Sequence, residues 1–239
     1  MNAVTNWPGG RSRQCLLMTS SEWKPAMDKV KLYSGNENGK SGIGISILSP
    51  DASVADLLAA WQPLCDDSGL FKLYADHNFS ECKGCTVNCC NTAYVIPDLV
   101  SFRKMAAYLK LTYDDFLDRY FQKEKLELGL LRMTPNPCIF LQNNICSIYL
   151  MRSLICRFYI CSNILGDTEQ LIYSIAWTGI TATQLFAEQQ GLLNINSEAG
   201  LTSFDLMFKK LIEEYREHPG VDLFMKASEY SDIPLKVFK

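Results

Sequence analysis

The alternation of apolar and polar positions along the chain predicts several short helices and little strand. "KVKLYSGNENGKSGIGISIL", from Lys29, carries two β-prone runs around a Gly/Asn turn and reads as a hairpin. Ser53 with Asp56 three residues on resembles a capping box that opens a helix through "VADLLAAWQ", which Pro63 is expected to end. Pro97 and Asp98 suit the first turn of the next helix, with Leu99, Phe102, Met105 and Leu109 on one face. Thr112 can cap another, with Phe116, Leu117, Tyr120 and Phe121 as its buried side. A helix over 181–190 should stop at Gly191. A clearer one is expected from Ser203 to about His218, with Phe204, Met207, Leu211 and Tyr215 as its apolar stripe and Pro219 as its stop. The expected fold is mainly α with few short strands and no internal repeat. Residues 1–26, broken by Pro8-Gly9-Gly10, read as a flexible segment, and 27–239 as one domain with a cysteine-rich core at 80–165.

Composition narrows the functional classes. A chain of 239 residues with 48% hydrophobic content can bury a core without staples. The 23 basic and 26 acidic residues leave a net charge of -3, so there is no general electrostatic reason to bind nucleic acid or an anionic membrane. No apolar run approaches the roughly 18 residues of a membrane helix, and "CLLM" at 15–18 is short for a signal-peptide core. A cytoplasmic protein, with neither membrane nor nucleic acid as partner, is the expectation. "GNENGKS" at 35–41 superficially resembles a phosphate-binding loop. Ser34 stands where its first glycine belongs, and a strand pattern follows rather than a helix, so it reads as a turn.

The ten cysteines change the picture. In a reducing compartment clustered thiols point to metal or redox chemistry rather than disulfides. "SECKGCTVNCC" places Cys82, Cys85, Cys89 and Cys90 within nine positions, and Gly84 lets the backbone wrap closely at Cys82-x2-Cys85. A second group, Cys138, Cys146, Cys156 and Cys161, lies among Ile, Leu, Phe and Tyr, with Arg152 and Arg157 placed to offset thiolate charge. Adjacent side chains such as Cys89 and Cys90 diverge in extended backbone. Two tetrathiolate sites, or one multinuclear site joining the groups, therefore suit eight thiols. Cys15 and Cys65 stand alone and read as small core hydrophobes. His77 reads as structural or as a neighbour of a ligand, and His218 as a helix-end residue. The carboxylates of "YDDFLD" at 113–118 read as a solvated helix face.

The string C-x2-C-x3-C-C, followed by "VIPDLVSFRKMAAYL" and "CIFLQNNICSIYLMRSLICRFY", resembles the CxxCxxCC cysteine-cluster family of zinc- or iron-chelating proteins. It is also similar to the cysteine-rich part of flagellin lysine N-methylase. The resemblance covers about residues 80–161. It maps the family's first block onto Cys82, Cys85, Cys89 and Cys90, and its second onto Cys138, Phe140, Leu141, Cys146, Ile148, Tyr149, Arg152, Cys156 and Arg157. Three departures stand out: three residues rather than two precede Cys89-Cys90, Ser153 replaces a proline, and the proline after "CRFY" is absent with Cys161 just beyond. Cys161 is then either a further ligand or an unrelated thiol.

These residues lead to an irregular helical domain organised around a cysteine-ligated metal centre, holding a four-iron four-sulfur cluster or zinc, with a redox or metal-handling role. The eight clustered cysteines are the expected ligands, and Tyr149, Arg152 and Arg157 the expected hydrogen-bonding neighbours. Phe140, Leu141, Ile148, Tyr149, Phe158 and Tyr159 are expected to form an apolar shell around the sulfurs. The alternatives are protein-lysine methyl transfer, as the resemblance implies, and a structural zinc site in an interaction domain with a protein partner. No Ser-His-Asp set, glycine-rich methyl-donor loop or carboxylate pair identifies a reaction, so catalytic residues stay unassigned. The two cysteine blocks should meet in space through a helical hairpin.

Overall fold

The computed structural model describes residues 28–74, 84–85, 89–91, 93–135, 137–193 and 200–238. Cys15, His77 and Cys82 lie outside the described residues. The fold is mainly α, with two small two-stranded sheets among the described residues. No helix among these residues is long and apolar enough to cross a membrane.

Strands β1 (Val30–Glu37) and β2 (Lys40–Ile47) form the expected hairpin, paired from Val30 with Ile47 to Glu37 with Lys40. Asn38 and Gly39 take positive φ of 53° and 78° at its turn, as the strand twist requires. The Ile43 amide donates to the Asn163 carbonyl and the Leu165 amide to the Ile43 carbonyl, tying the hairpin to the chain entering α7 (Gly166–Gln189).

Helix α1 (Val54–Asp66) starts at the full Ser53/Asp56 capping box. It does not end at Pro63 as expected but runs three residues further. The carbonyl that Pro63 leaves without a partner belongs to Ala59, on the exposed side of the helix, while Leu64 and Cys65 are buried and anchor the last turn. The short α2 (Ser68–Tyr74) follows.

Asp98, expected in the first turn of α3 (Leu99–Leu109), stands one residue earlier as its N-cap, while Thr112 caps α4 (Tyr113–Tyr120) as the sequence indicates. The Phe102 ring packs 5.4 Å from Phe116, 6.1 Å from Phe121 and 6.3 Å from Phe186, locking α3 and α4 against α7. Asp114, Asp115 and Asp118 face solvent. After α5 (Lys123–Leu126) come the two-residue strands β3 (Leu141–Gln142) and β4 (Ile145–Cys146), then α6 (Leu154–Phe158).

The helix expected over 181–190 begins instead at Gly166 and is the central element. It is buried almost all round from Ile175 to Gln184, Thr178, Thr181 and Thr183 included, so it carries no amphipathic period to mark its start. Gly191, with φ of 68°, ends it as expected.

Helix α8 (Ser203–Tyr215) is present, with Leu211 and Tyr215 of its expected stripe packed against the core, but the first half of that stripe is turned away. Phe204 and Met207 are exposed, and Asp205, Phe208 and Ile212 are buried. A polar anchor sets this rotation. Asp205 is fully buried, completes a capping box with Thr202, and accepts hydrogen bonds from Lys125 Nζ at 2.6 Å and the Tyr94 hydroxyl at 2.9 Å. Helix α9 (Gly220–Lys226) follows, and the C-terminal segment returns to α1 through the Leu235 amide, which donates to the Ala52 carbonyl.

Burial alone would raise the Asp205 pKa, but hydrogen bonds from Lys125, Thr202 and Tyr94 outweigh it and hold the group well below the usual carboxylate range. Its stabilising contribution is therefore present above the unfolded carboxylate pKa of about 3.9 and fades as pH falls below that toward the lowered folded value. Asp205→Ala, which strands the Lys125 ammonium, should cost about 3–5 kcal/mol in chemical denaturation at neutral pH. It should also flatten the acid limb of the stability profile. A loss under about 1 kcal/mol, the range of an exposed pair, would contradict this assignment.

Candidate metal centre

The two cysteine blocks meet as expected, and the backbone shows how. The chain leaves Cys90, passes through α3 and α4, and returns so that the Met133 amide donates to the Val95 carbonyl at 2.9 Å. The Cys138 amide then donates to the Cys90 carbonyl at 2.7 Å, and the Gly84 amide to the Asn144 carbonyl at 3.1 Å. The intervening helices thus act as a clasp that lays the second block along the first.

The thiols surround one cavity of about 90 Å³. Cys85, Cys89 and Cys90 line it from the first block, and Cys138, Cys146, Cys156 and Cys161 from the second. Each stands on a different kind of support. Cys85 follows Gly84, whose φ of 86° strains any other residue. Cys89 and Cys90 sit in a 3-10 turn, Cys146 on β4, and Cys156 on α6 with the Ser153 hydroxyl 3.4 Å from its sulfur. Cys65 does not line the cavity; it is buried in α1 with its Sγ 3.5 Å from the Arg157 carbonyl.

Apolar side chains complete the walls. Phe140, Leu141, Ile148, Tyr149 and Tyr159 line the cavity as expected, joined by Met105 and Met133. Phe158 does not; it is buried with its ring 6.2 Å from Trp61, in the core beneath α6. Phe140 is held by a stack on Tyr120 at 4.8 Å, linking the wall to α4.

Arg152 is the cation of this cavity. It is buried, its Nε donates to the Tyr149 carbonyl at 3.1 Å, and its guanidinium lies 3.6 Å from the Tyr149 ring centre. The Tyr149 hydroxyl donates to Asp66, not to a sulfur. Arg157 lines a neighbouring cleft instead, 6.0 Å from the Tyr230 ring centre.

Electrostatics separate the thiols into two kinds. Burial pushes the Cys138 thiol up, Cys146 up to about 11 and Cys156 up to about 12. A hydrogen bond from Cys89 brings Cys90 down to about 6 against the opposing effect of burial, with help from the Arg152 charge. Cys90, Cys138, Cys146 and Cys156 feel one another's charge, so gathering them as thiolates requires a cation. A thiophilic metal fits this donor set: soft sulfur ligands, few competing oxygens and one guanidinium to offset residual charge. Among the described residues, no three His, Cys, Asp or Glu side chains converge tightly enough to hold a bare ion; the thiols ring the space rather than close on a point.

Asp98, which sequence reasoning read only as a helix start, positions this site. Its buried carboxyl group accepts from the Ser101 amide at 3.0 Å, from the Leu154 amide at 2.9 Å and from the Tyr230 hydroxyl at 3.0 Å. The Leu154 amide opens α6, which carries Cys156, so one side chain caps two helices and fixes the second cysteine block against α3. The signal available in the sequence was the N-cap alone; the partners at 154 and 230 are long-range.

A mainly α fold gathers thiols from both cysteine blocks at one cavity, an arrangement of the kind that chelates thiophilic metals. Residues 81–177 match the model of the CxxCxxCC family, described as a "putative zinc- or iron-chelating domain". The resemblance read from the two cysteine blocks is thereby shown for that span, which includes every cysteine of both blocks. No curated protein and no solved structure matches the chain.

Asp98→Ala leaves the Leu154 amide and the Tyr230 hydroxyl without their acceptor and should cost about 3 kcal/mol or more, whereas Tyr230→Phe should cost about 1 kcal/mol. Urea denaturation of both variants checks this. A smaller loss for Asp98→Ala than for Tyr230→Phe would remove Asp98 from its place at the junction.

Proposed function

We propose that the protein holds an iron-sulfur cluster of the four-iron four-sulfur type at the thiol-lined cavity, in a redox or metal-handling role. The observation that carries this reading is the ring of seven described thiols around one apolar space. A bare zinc ion draws four sulfurs to about 2.3 Å of a single point, whereas a cluster offers several irons to thiolates spread around its body. The spread arrangement favours the cluster. Cys90, Cys138, Cys146 and Cys156 form the inner set, because they share one another's field and that of Arg152. Cys85, Cys89 and Cys161 complete the ring of described thiols.

When bound, the cluster supplies one-electron chemistry; the chain's own residues set its surroundings. Phe140, Ile148 and the two methionines exclude water. Arg152 balances negative charge, and Ser153 hydrogen-bonds the Cys156 sulfur, two levers by which proteins tune such centres. The partner in this reading is the cluster itself, with a protein substrate or redox partner approaching on the side of exposed Cys89 and Tyr159.

Anaerobic purification followed by iron, zinc and acid-labile sulfide analysis tests the proposal. A brown protein with stoichiometric iron and sulfide is expected, and Cys138→Ser and Cys156→Ser should each lose most of both. Cys65→Ala, outside the cavity, should keep them. Colourless protein holding only zinc would replace the redox role with a structural or metal-handling one. Folded protein retaining neither metal, with stability unchanged by Cys82→Ser plus Cys156→Ser, would end the metal reading.

A further inference from the structure

Behind the thiol cavity, on the far side of Arg152, lies a second cleft of about 440 Å³ between α1, α3 and the segment around Tyr230. Its walls combine apolar side chains, among them Leu58 and Met151, with three cationic ones, Lys104, Arg152 and Arg157. Among the described residues a single carboxylate, Glu229, lines it, and that group is paired with Lys104. Asp98 lies beneath the Tyr230 hydroxyl, fully occupied by Ser101, Leu154 and Tyr230.

The hydrogen-bond inventory is unusual at this one place. Among the described residues seven buried side-chain nitrogen or oxygen atoms have no hydrogen-bond partner, and three belong to residues lining this cleft: Arg157 Nε, Arg152 Nη2 and Gln62 Oε1. A buried, unsatisfied polar atom costs about 1–3 kcal/mol, more when charged. Gln62 Oε1 is an acceptor and offers one partner at most; the two unpartnered guanidinium donors, on side chains lining a cleft with three cations and one carboxylate, indicate a missing anionic acceptor. Guanidinium groups favour planar or tetrahedral oxyanions, which accept two N–H donors at once.

We propose that this cleft is a binding site for a small molecule bearing a carboxylate or phosphate group. Arg157 and Arg152 hold the oxyanion, Lys104 contributes charge at the mouth, and the apolar wall of α1 receives the body of the ligand. The volume falls within the range of small-molecule pockets. The site stands on the cleft's own residues and is independent of which metal the thiols hold. Arg152 lines both cavities, so a bound anion would draw on the same guanidinium that faces the thiols, and the two sites would sense each other.

Calorimetric titration of the full-length protein with sodium phosphate and, separately, sodium malonate tests the site and separates the two head groups. Saturable binding of one or both is expected, weakened at least tenfold by Arg157→Gln and several-fold by Lys104→Gln. Glu229→Gln, which removes the competing carboxylate and frees Lys104, should tighten binding several-fold, an effect that loss of structure cannot imitate. Lys210→Gln, on the exposed side of α8, should change nothing. Absence of binding by both anions would overturn the proposal. So would binding that Lys104→Gln and Glu229→Gln leave unaltered, a result that stays decisive even if Arg157→Gln fails to fold.

Discussion

A carboxyl group buried to 1% exposure normally needs several donors around it, and Asp98 has them from three parts of the chain. Its own helix α3 supplies Ser101, the cysteine-bearing α6 supplies the Leu154 amide, and the C-terminal segment supplies Tyr230. The arrangement also needs room. A Cβ on Gly179 of the central helix would stand 2.6 Å from the Asp98 Cβ and 3.0 Å from the Phe224 ring, so only glycine lets α7 pass this close. The orientation of α6, and with it Cys156, follows from this junction. The cavity walls then inherit their geometry from the core rather than from the loops that carry the other thiols.

The thiol cavity and the cationic cleft share a partition made of residues 149–157. Arg152 stacks on Tyr149, Tyr149 hydrogen-bonds to Asp66 at the end of α1, and Arg157 sits over Tyr230. This wall places positive charge where buried thiols are costly to ionise, and leaves the cation's remaining donor unpaired. Among the described residues, the positive charge lining the thiol cavity is thus local, supplied by one guanidinium, in a protein whose net charge is only -3.

Elements whose signals are local were legible in the sequence. The hairpin, the Ser53 and Thr112 caps and the α3 face are all written in neighbouring residues, and the spacing of the cysteines pointed to the thiol cavity and to the family whose model matches residues 81–177. The errors came where tertiary contacts override local pattern. Helix α7 has no polar face to mark its beginning, because Thr178, Thr181 and Thr183 are buried and hydrogen-bonded within the core, and Gln184 is buried with its amide nitrogen donating to the Gly129 carbonyl. At the start of α8, Phe204 and Met207 yield the inner face to Asp205, whose pair with Lys125 is a contact across 80 residues that no periodicity encodes. Phe158 and Arg157 lie beside a cysteine in sequence yet face the core and the second cleft, since successive helix positions point about 100° apart.

In the proposed centre, sulfur drawn from both blocks binds the metal. X-ray absorption at the metal edge of anaerobically isolated protein measures this directly. The account predicts a coordination shell of sulfur alone at about 2.3 Å, with a metal-metal scattering path if the centre is a cluster. A shell dominated by nitrogen or oxygen would contradict it.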